Sequence, residues 1–85
     1  MKLSPMCRLH RRRGKYVLMV YVSQPLALEV NSSFAFLWEQ LSGKDFAPGD
    51  VSALLQEHYG LEEDQAASET EGIIYLWESQ QLVIP

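Results

Sequence analysis

Residues that commonly perform catalysis are few in this chain and lie far apart. The 85-residue sequence contains two histidines, His10 and His58, and one cysteine, Cys7. A zinc site needs three or four such ligands at close, defined spacings, which this sequence does not offer. No base lies near Cys7 in the sequence to mark it as a nucleophile, so we interpret it as a small apolar residue. The sequence therefore predicts a protein that is not an enzyme and that has no metal site and no cofactor.

The charged residues are segregated along the chain. Six of the seven Lys and Arg residues fall in the first fifteen positions, and all eleven Asp and Glu residues lie from Glu29 onward. The net charge of −4 argues against nucleic acid as the ligand of the whole domain, because phosphate binding requires a positive surface. A local basic segment remains, either as a solvated β-turn or as a docking site for an anion or a partner. Its residues are Arg11, Arg12 and Arg13.

Length and cysteine content predict one domain, residues 1–85, in a reducing compartment. A single cysteine forms no internal disulfide, so the fold depends on packing. No apolar run approaches the roughly 20 residues that cross a membrane, and the N-terminus does not resemble a signal peptide. We therefore expect a cytoplasmic protein.

Three strands are predicted in the first part of the chain, at residues 6–12, 16–22 and 26–30, with a turn at Gly14 and Lys15. The second is the strongest, because it is rich in β-branched and aromatic residues. Ser23, Gln24 and Pro25 separate it from the third. Since Pro25 has no N–H to donate, the third strand is predicted to lie at an edge of the sheet.

Three helices follow. The first begins at the cap residue Asn31 and ends near Leu41, the second runs from Pro48 to Tyr59, and the third covers residues 62–79. The predicted fold is α+β and winged-helix-like, a three-stranded antiparallel sheet followed by three helices. The apolar tail at 82–84 either packs under the sheet or pairs as a strand.

An edge strand beside an apolar helix predicts a binding groove for an extended peptide. The unpaired N–H and C=O groups of the strand would pair with the peptide backbone, and the helix would contact its side chains. Trp77 fits both a core and a groove position, and so does Leu76, which lies on the flank of the apolar arc. The strand contributes Leu26, Ala27, Leu28, Glu29 and Val30 to this groove, and the helix contributes Ile73, Leu76, Trp77 and Gln80.

The same residues resemble the PqqD family, the pyrroloquinoline quinone biosynthesis protein D group, over roughly residues 15–84. The likeness lies in the order and spacing of a strand entering Asn31, an aromatic helix, a Ser-Gly stop, and apolar positions in the next two helices. Those positions are Phe34, Trp38, Leu41, Val51, Leu54, Leu55, Tyr59, Ile73, Ile74, Trp77, Leu82 and Val83.

The resemblance implies a recognition element for a ribosomally made, modified peptide. Its leader would bind between the third strand and the third helix and be delivered to a partner enzyme, commonly a radical S-adenosylmethionine enzyme. Ile73, Ile74 and Trp77 match apolar helix positions of the family, whereas Leu76 and Gln80 come from periodicity alone. Two positions depart from the family pattern: Ala47 replaces a polar helix cap, and Gln81 replaces a common glycine. The quinone pathway itself does not follow, and another modified peptide fits equally well.

Two other functions are compatible with the sequence. The arginine segment suggests a winged-helix nucleic-acid-binding protein, although the third helix carries six acidic residues and no Lys or Arg. The other function is that of a structural subunit that docks on an enzyme through exposed Phe36 and Tyr75. An unpaired edge also allows a homodimer to form by pairing with a second copy.

Overall fold

A computed structural model describes residues 1–21 and 25–85 of the chain. It contains five strands and three helices in this part of the chain. The bounds of the strands are β1 Lys2–Leu3, β2 Cys7–Arg12, β3 Lys15–Tyr21, β4 Pro25–Val30 and β5 Val83–Ile84. The helices are α1 Ser32–Leu41, α2 Pro48–Tyr59 and α3 Glu63–Ser79.

The main sheet is antiparallel and has the order β2-β3-β4. The three helices come after it in the chain, so the predicted α+β fold with a three-stranded antiparallel sheet is confirmed. Val22, Ser23 and Gln24, where the sequence predicted a strand end and a break, lie outside the described residues.

The turn between β2 and β3 lies one residue earlier than the sequence predicted. Arg12 pairs with Lys15, which leaves Arg13 and Gly14 as a two-residue loop with φ angles of 51° and 76°. Two positive φ values in succession are typical of the hairpin turn whose twist matches that of the flanking strands. Gly14 adopts this conformation readily, whereas Arg13 does so at a cost.

Polar groups at the helix ends explain where the helices begin. The Asn31 side chain accepts a hydrogen bond of 2.8 Å from the Phe34 N–H, as a cap residue should. Ala47 has no side chain to cap α2, but its own N–H donates to Asp50 Oδ2 at 2.8 Å. The departure at Ala47 therefore leaves half of a capping box in place. Gly60 ends α2 in the left-handed conformation, with φ of 66°.

The core lies between the sheet and the helices, with aromatic rings at its centre. Trp77 is 1% exposed, and its ring centroid lies 5.7 Å from Phe34, 5.8 Å from Trp38 and 6.2 Å from Phe46. All three contacts are edge-to-face, an arrangement that stabilises aromatic pairs beyond the burial of their area. Leu18 and Val20 of β3 contribute the sheet side of the same core.

The C-terminal tail pairs as a strand, but not with the main sheet. Val83 and Ile84 pair with Leu3 and Lys2 of β1, a strand that the sequence did not predict. Leu82 is buried at 2% exposure, and its carbonyl accepts a hydrogen bond of 2.8 Å from the Ser4 N–H. The tail is thus held at the start of β2, away from β4. Within residues 1–21 and 25–85, no helix is both long and apolar enough to cross a membrane.

Candidate functional site

Strand β4 forms one edge of the main sheet. It pairs with β3 on one side, and no other strand in the described part of the chain pairs with its opposite side. The sequence-based prediction placed this strand at an edge because of Pro25, and the strand order agrees with that prediction.

The register determines which backbone groups of β4 point away from the sheet. The Tyr21 N–H donates to the Met6 carbonyl, so the Tyr21 backbone groups point toward the β2 side of β3. Backbone groups alternate in direction along a strand, so those of Val20 and Leu18 point toward β4 and bond to its residues. Their partners in the register are Leu26 and Leu28.

It follows that the backbone groups of Pro25, Ala27 and Glu29 point toward the open side. Their partners on β3 are Tyr21, Met19 and Val17, which bond in the other direction. The open side offers the N–H groups of Ala27 and Glu29 and three carbonyl groups. Pro25 lies at the position where a missing N–H leaves the β3–β4 ladder intact, which explains why a proline is tolerated there.

The side chains of β4 divide between the two faces of the sheet. Leu28 and Val30 are half-buried against the core, and Leu26 on the same face is 51% exposed. Ala27 and Glu29 are exposed on the outer face. The Glu29 carboxylate lies 3.7 Å from the Lys15 ammonium, and both side chains are about two-thirds exposed. The open edge therefore has one apolar face and one polar face.

On α3, the predicted site residues differ strongly in exposure. The sequence allowed Trp77 either a core or a groove position, and the structure places it in the core. Leu76 is 49% exposed and is therefore not a core residue. Ile73 is half-buried against the core, and Gln80 is exposed. Ile73 and Leu76 lie at helical spacing on one side of α3, and Gln80, the residue directly after the helix, continues this spacing; we call these three residues the α3 flank.

A cavity of about 240 Å³ brings Ile73 and Trp77 together with residues of α1 and α2 rather than with β4. Phe34 lies in this cavity wall and packs edge-to-face on Trp77. Phe34 lines this cavity together with Ile73, an arrangement that the sequence did not predict. No β4 residue is among the described residues that line the cavity.

The predicted docking arginines are all exposed on the β2–β3 hairpin. Arg11 and Arg12 lie on β2, and Arg13 lies in the turn. The Arg11 guanidinium lies 5.6 Å from the centroid of the Tyr16 ring, in range of a cation–π contact. In residues 1–21 and 25–85, the ion pairs found within 4.0 Å involve none of these arginines.

Cys7 and His10 lie on β2, and His58 lies on α2. Cys7 is buried, and burial raises the pKa of its thiol while a hydrogen bond from Ser4 lowers it to a lesser extent. His58 stacks on Phe36, with ring centroids 3.9 Å apart. Phe36 is consequently half-buried rather than exposed, in contrast to the sequence-based expectation, whereas Tyr75 is 76% exposed. In the described parts of the chain, no cluster of three His, Cys, Asp or Glu side chains could hold a metal ion.

A second, larger cavity of about 660 Å³ lies between α2 and α3, on the side of α3 away from Ile73. Pro48, Ile74 and Tyr75 contribute to its lining, together with Gly72. A Cβ atom at Gly72 would meet nothing within 4 Å, so no described part of the chain requires a glycine there.

This arrangement defines a small α+β protein with a three-stranded sheet that has β4 as one of its two edge strands. The chain belongs to the PqqD family: the family model described as coenzyme PQQ synthesis protein D (PqqD) matches residues 9–83. The resemblance noted in the sequence is thereby confirmed over nearly the whole chain. PqqD is a non-catalytic accessory family that works with a precursor peptide and a partner enzyme, and membership supports a peptide-binding role related to PQQ biosynthesis in general terms. No curated protein and no solved structure gives a significant match to the chain.

Proposed function

We propose that this protein is a non-catalytic peptide chaperone that binds the leader of a ribosomally made precursor peptide by strand addition to β4. The observation that carries this proposal is the row of outward-pointing backbone groups at Pro25, Ala27 and Glu29. A guest strand would satisfy these groups with hydrogen bonds, and each backbone bond would form regardless of the guest's side chains. Specificity would then come from the side chains on either face.

The α3 flank is the second component of the proposed site. Leu76 exposes about half of its surface, and burying the exposed part of an aliphatic side chain gives roughly 1 kcal/mol. Ile73 and Gln80 lie one turn to either side of it, so a guest side chain in this position meets apolar surface with a polar end. Trp77, being fully buried, supports the flank from beneath rather than by direct contact.

The arginine hairpin is proposed to dock the peptide-modifying enzyme, such as a radical S-adenosylmethionine enzyme. Arg11, Arg12 and Arg13 present three cations at the end of the sheet opposite the β1–β5 pair. A complementary acidic surface on the enzyme would accelerate encounter and orient the complex. In that arrangement the hairpin holds the enzyme while β4 holds the peptide.

The experiment that tests strand addition is a titration with leader peptides encoded beside the gene, followed by NMR. We expect amide shifts at residues 26–30 and 69–80. The Ala27→Pro substitution removes an outward N–H and leaves the ladder to β3 intact, so it should weaken peptide binding at least tenfold without unfolding the protein. Arg11→Pro is the matched control, because Arg11 points its backbone groups to the open side of β2 by the same alternation.

Two results would contradict the proposal. One is a set of peptide-induced shifts confined to residues outside β4 and α3. The other is an Ala27→Pro variant that binds the peptide as tightly as the unaltered protein does. A loss of equal size in the control variant Arg11→Pro would show that the effect of Ala27→Pro is not specific to the edge of β4.

The nucleic-acid alternative gains nothing from the structure. In a winged-helix reader α3 would approach the phosphates, yet its acidic side chains are exposed and would repel them. These side chains are Glu63, Asp64, Glu69, Glu71 and Glu78.

A further inference from the structure

We infer that the guest strand carries a lysine or arginine on its outer face, directly opposite Glu29. This inference rests on the proposed strand addition and concerns which peptides the edge selects. It follows from the register of the sheet and from the positions of the charges on its outer face.

Strand addition fixes which guest side chains meet which residues of β4. Side chains of paired residues lie on the same face of a sheet, so guest residues opposite Leu26, Leu28 and Val30 face the core side. Guest residues opposite Ala27 and Glu29 face the outer side. The guest is therefore an extended segment in which apolar residues alternate with residues that face Ala27 and Glu29. Of these two β4 residues, Ala27 offers a small side chain and Glu29 offers an anion.

The outer face of the sheet is largely basic, so the distance of each charge from the guest strand determines how strongly that charge acts on a guest side chain. Arg8, His10 and Arg12 project from β2 on this face, and Lys15 projects from β3. Strands are spaced about 4.8 Å apart, which puts a guest strand roughly 14 Å from β2 and roughly 10 Å from β3. The Debye length is about 8 Å in physiological salt, so the charges on β2 are largely screened at the guest.

Glu29, in contrast, lies directly beside the guest. Opposite residues on neighbouring strands have Cβ atoms about 5 Å apart, well inside the screening length. Lys15 lies 3.7 Å from one Glu29 oxygen, but the pair is about two-thirds exposed and lies on the β3 side of β4. The carboxylate thus remains the nearest charge to a side chain arriving from the open side, and a cation there is favoured over an anion.

The expected selectivity is modest. A favourable cross-strand charge pair and an unfavourable one together separate Lys from Glu at this guest position by about three- to tenfold in affinity. The difference should shrink as the salt concentration is raised, because both side chains are exposed to solvent.

The probe is a leader peptide encoded beside the gene, prepared with Lys and with Glu at each position in turn. Binding is measured by isothermal titration to the unaltered protein and to Glu29→Gln, Glu29→Lys and Glu57→Lys. At one peptide position we expect Lys to be preferred by the unaltered protein, the preference to vanish in Glu29→Gln, and Glu to be preferred by Glu29→Lys. Glu57→Lys, an exposed α2 substitution with the same change in net charge, should keep the original preference.

The outcomes separate this inference from the proposal on which it rests. A scan with no position that inverts in Glu29→Lys, combined with loss of binding in Ala27→Pro, overturns the charge selectivity and leaves strand addition standing. Binding that survives Ala27→Pro overturns both. A preference that inverts equally in Glu57→Lys reflects net charge alone and also overturns the inference.

Discussion

The two edge strands of the main sheet, β2 and β4, have similar lengths but differ in the features that hinder pairing with a foreign strand. β2 carries three arginines among its six residues, and the N–H of its first residue, Cys7, is bonded to the Ser4 carbonyl at 3.1 Å. β4 carries one charged residue, Glu29, and its defence is the missing N–H of Pro25 at one end. Proteins protect edge strands against foreign strands with charge and with their own chain.

That difference indicates that the amino-acid composition of an edge strand, and not only its position in the sheet, determines whether a foreign strand can pair with it. Both strands direct alternate N–H and C=O groups toward the outside, because both lie at the end of a three-stranded ladder. On β2 a guest would have to approach a row of cations, whereas on β4 it meets leucines, an alanine and a valine. The apolar strand is also the one that leads through Asn31 into Phe34, which packs against Trp77 of α3.

The largest expected effect distinguishes the two sets of backbone groups within β4. Leu28→Pro removes an N–H that bonds to β3 and also disturbs a half-buried side chain, so we expect a loss of about 3 kcal/mol in unfolding free energy. Ala27→Pro, one residue earlier, should cost less than about 1 kcal/mol, because its N–H points outward. Urea denaturation of the two variants measures this difference, and a larger loss in Ala27→Pro than in Leu28→Pro would show that the alternation of the β4 backbone is the reverse of that derived from the register.

The next effect distinguishes the roles of the two edges. Replacing Arg11, Arg12 and Arg13 with glutamate should weaken pull-down of the modifying enzyme encoded beside the gene by at least tenfold, or about 1.4 kcal/mol. Leader-peptide affinity should stay within about twofold, because the hairpin lies at the far edge from the proposed guest. Lost peptide binding with intact enzyme capture would instead mean that the arginines contact acidic residues of the peptide.

The sequence predicted the three-stranded antiparallel sheet, an edge position for its third strand and all three helices, since each of these depends on local patterns. Asn31, Gly60 and Pro25 are residues whose backbone requirements mark a cap, a helix end and an edge without knowledge of the rest of the fold. The resemblance to the PqqD family implied that these elements occur together, and the match over residues 9–83 shows that the chain belongs to this family.

What the sequence did not predict depends on contacts between distant segments. β1 has only two residues, and its pairing with β5 requires the two ends of the chain to meet, which no local pattern encodes. Phe36 was expected to be exposed because it lies off the helical stripe, but His58 from α2 covers one face of its ring. For Trp77, periodicity alone could not decide between core and groove, because both place an apolar residue on the same arc.

A smaller effect tests the helix that accompanies the open edge. Gly72 is exposed in the interior of α3, and a Cβ atom there would meet nothing within 4 Å. Gly72→Ala should therefore stabilise the protein by up to about 1 kcal/mol, because alanine restricts the unfolded chain and favours the helix. Thermal unfolding measures the gain. Peptide affinity should be unchanged, since Gly72 lies outside the α3 flank, and a marked loss of affinity would extend the peptide site beyond that flank.

The smallest effect concerns the pairing that holds the start of β2. Gln81 adopts a left-handed conformation with φ of 59°, between α3 and β5. A residue with a Cβ is strained there, so Gln81→Gly should gain a few tenths of a kcal/mol, up to about 1. Part of this gain is offset by the greater freedom of glycine in the unfolded chain. Hydrogen exchange should show slower opening at Ser4, whose N–H bonds to the Leu82 carbonyl, with no change at Ala27 or Glu29. Gln81→Ala, which keeps the Cβ, is the matched control and should give no gain; equal slowing at Ala27 would mean that the tail stabilises both edges and that β4 is not independent of it.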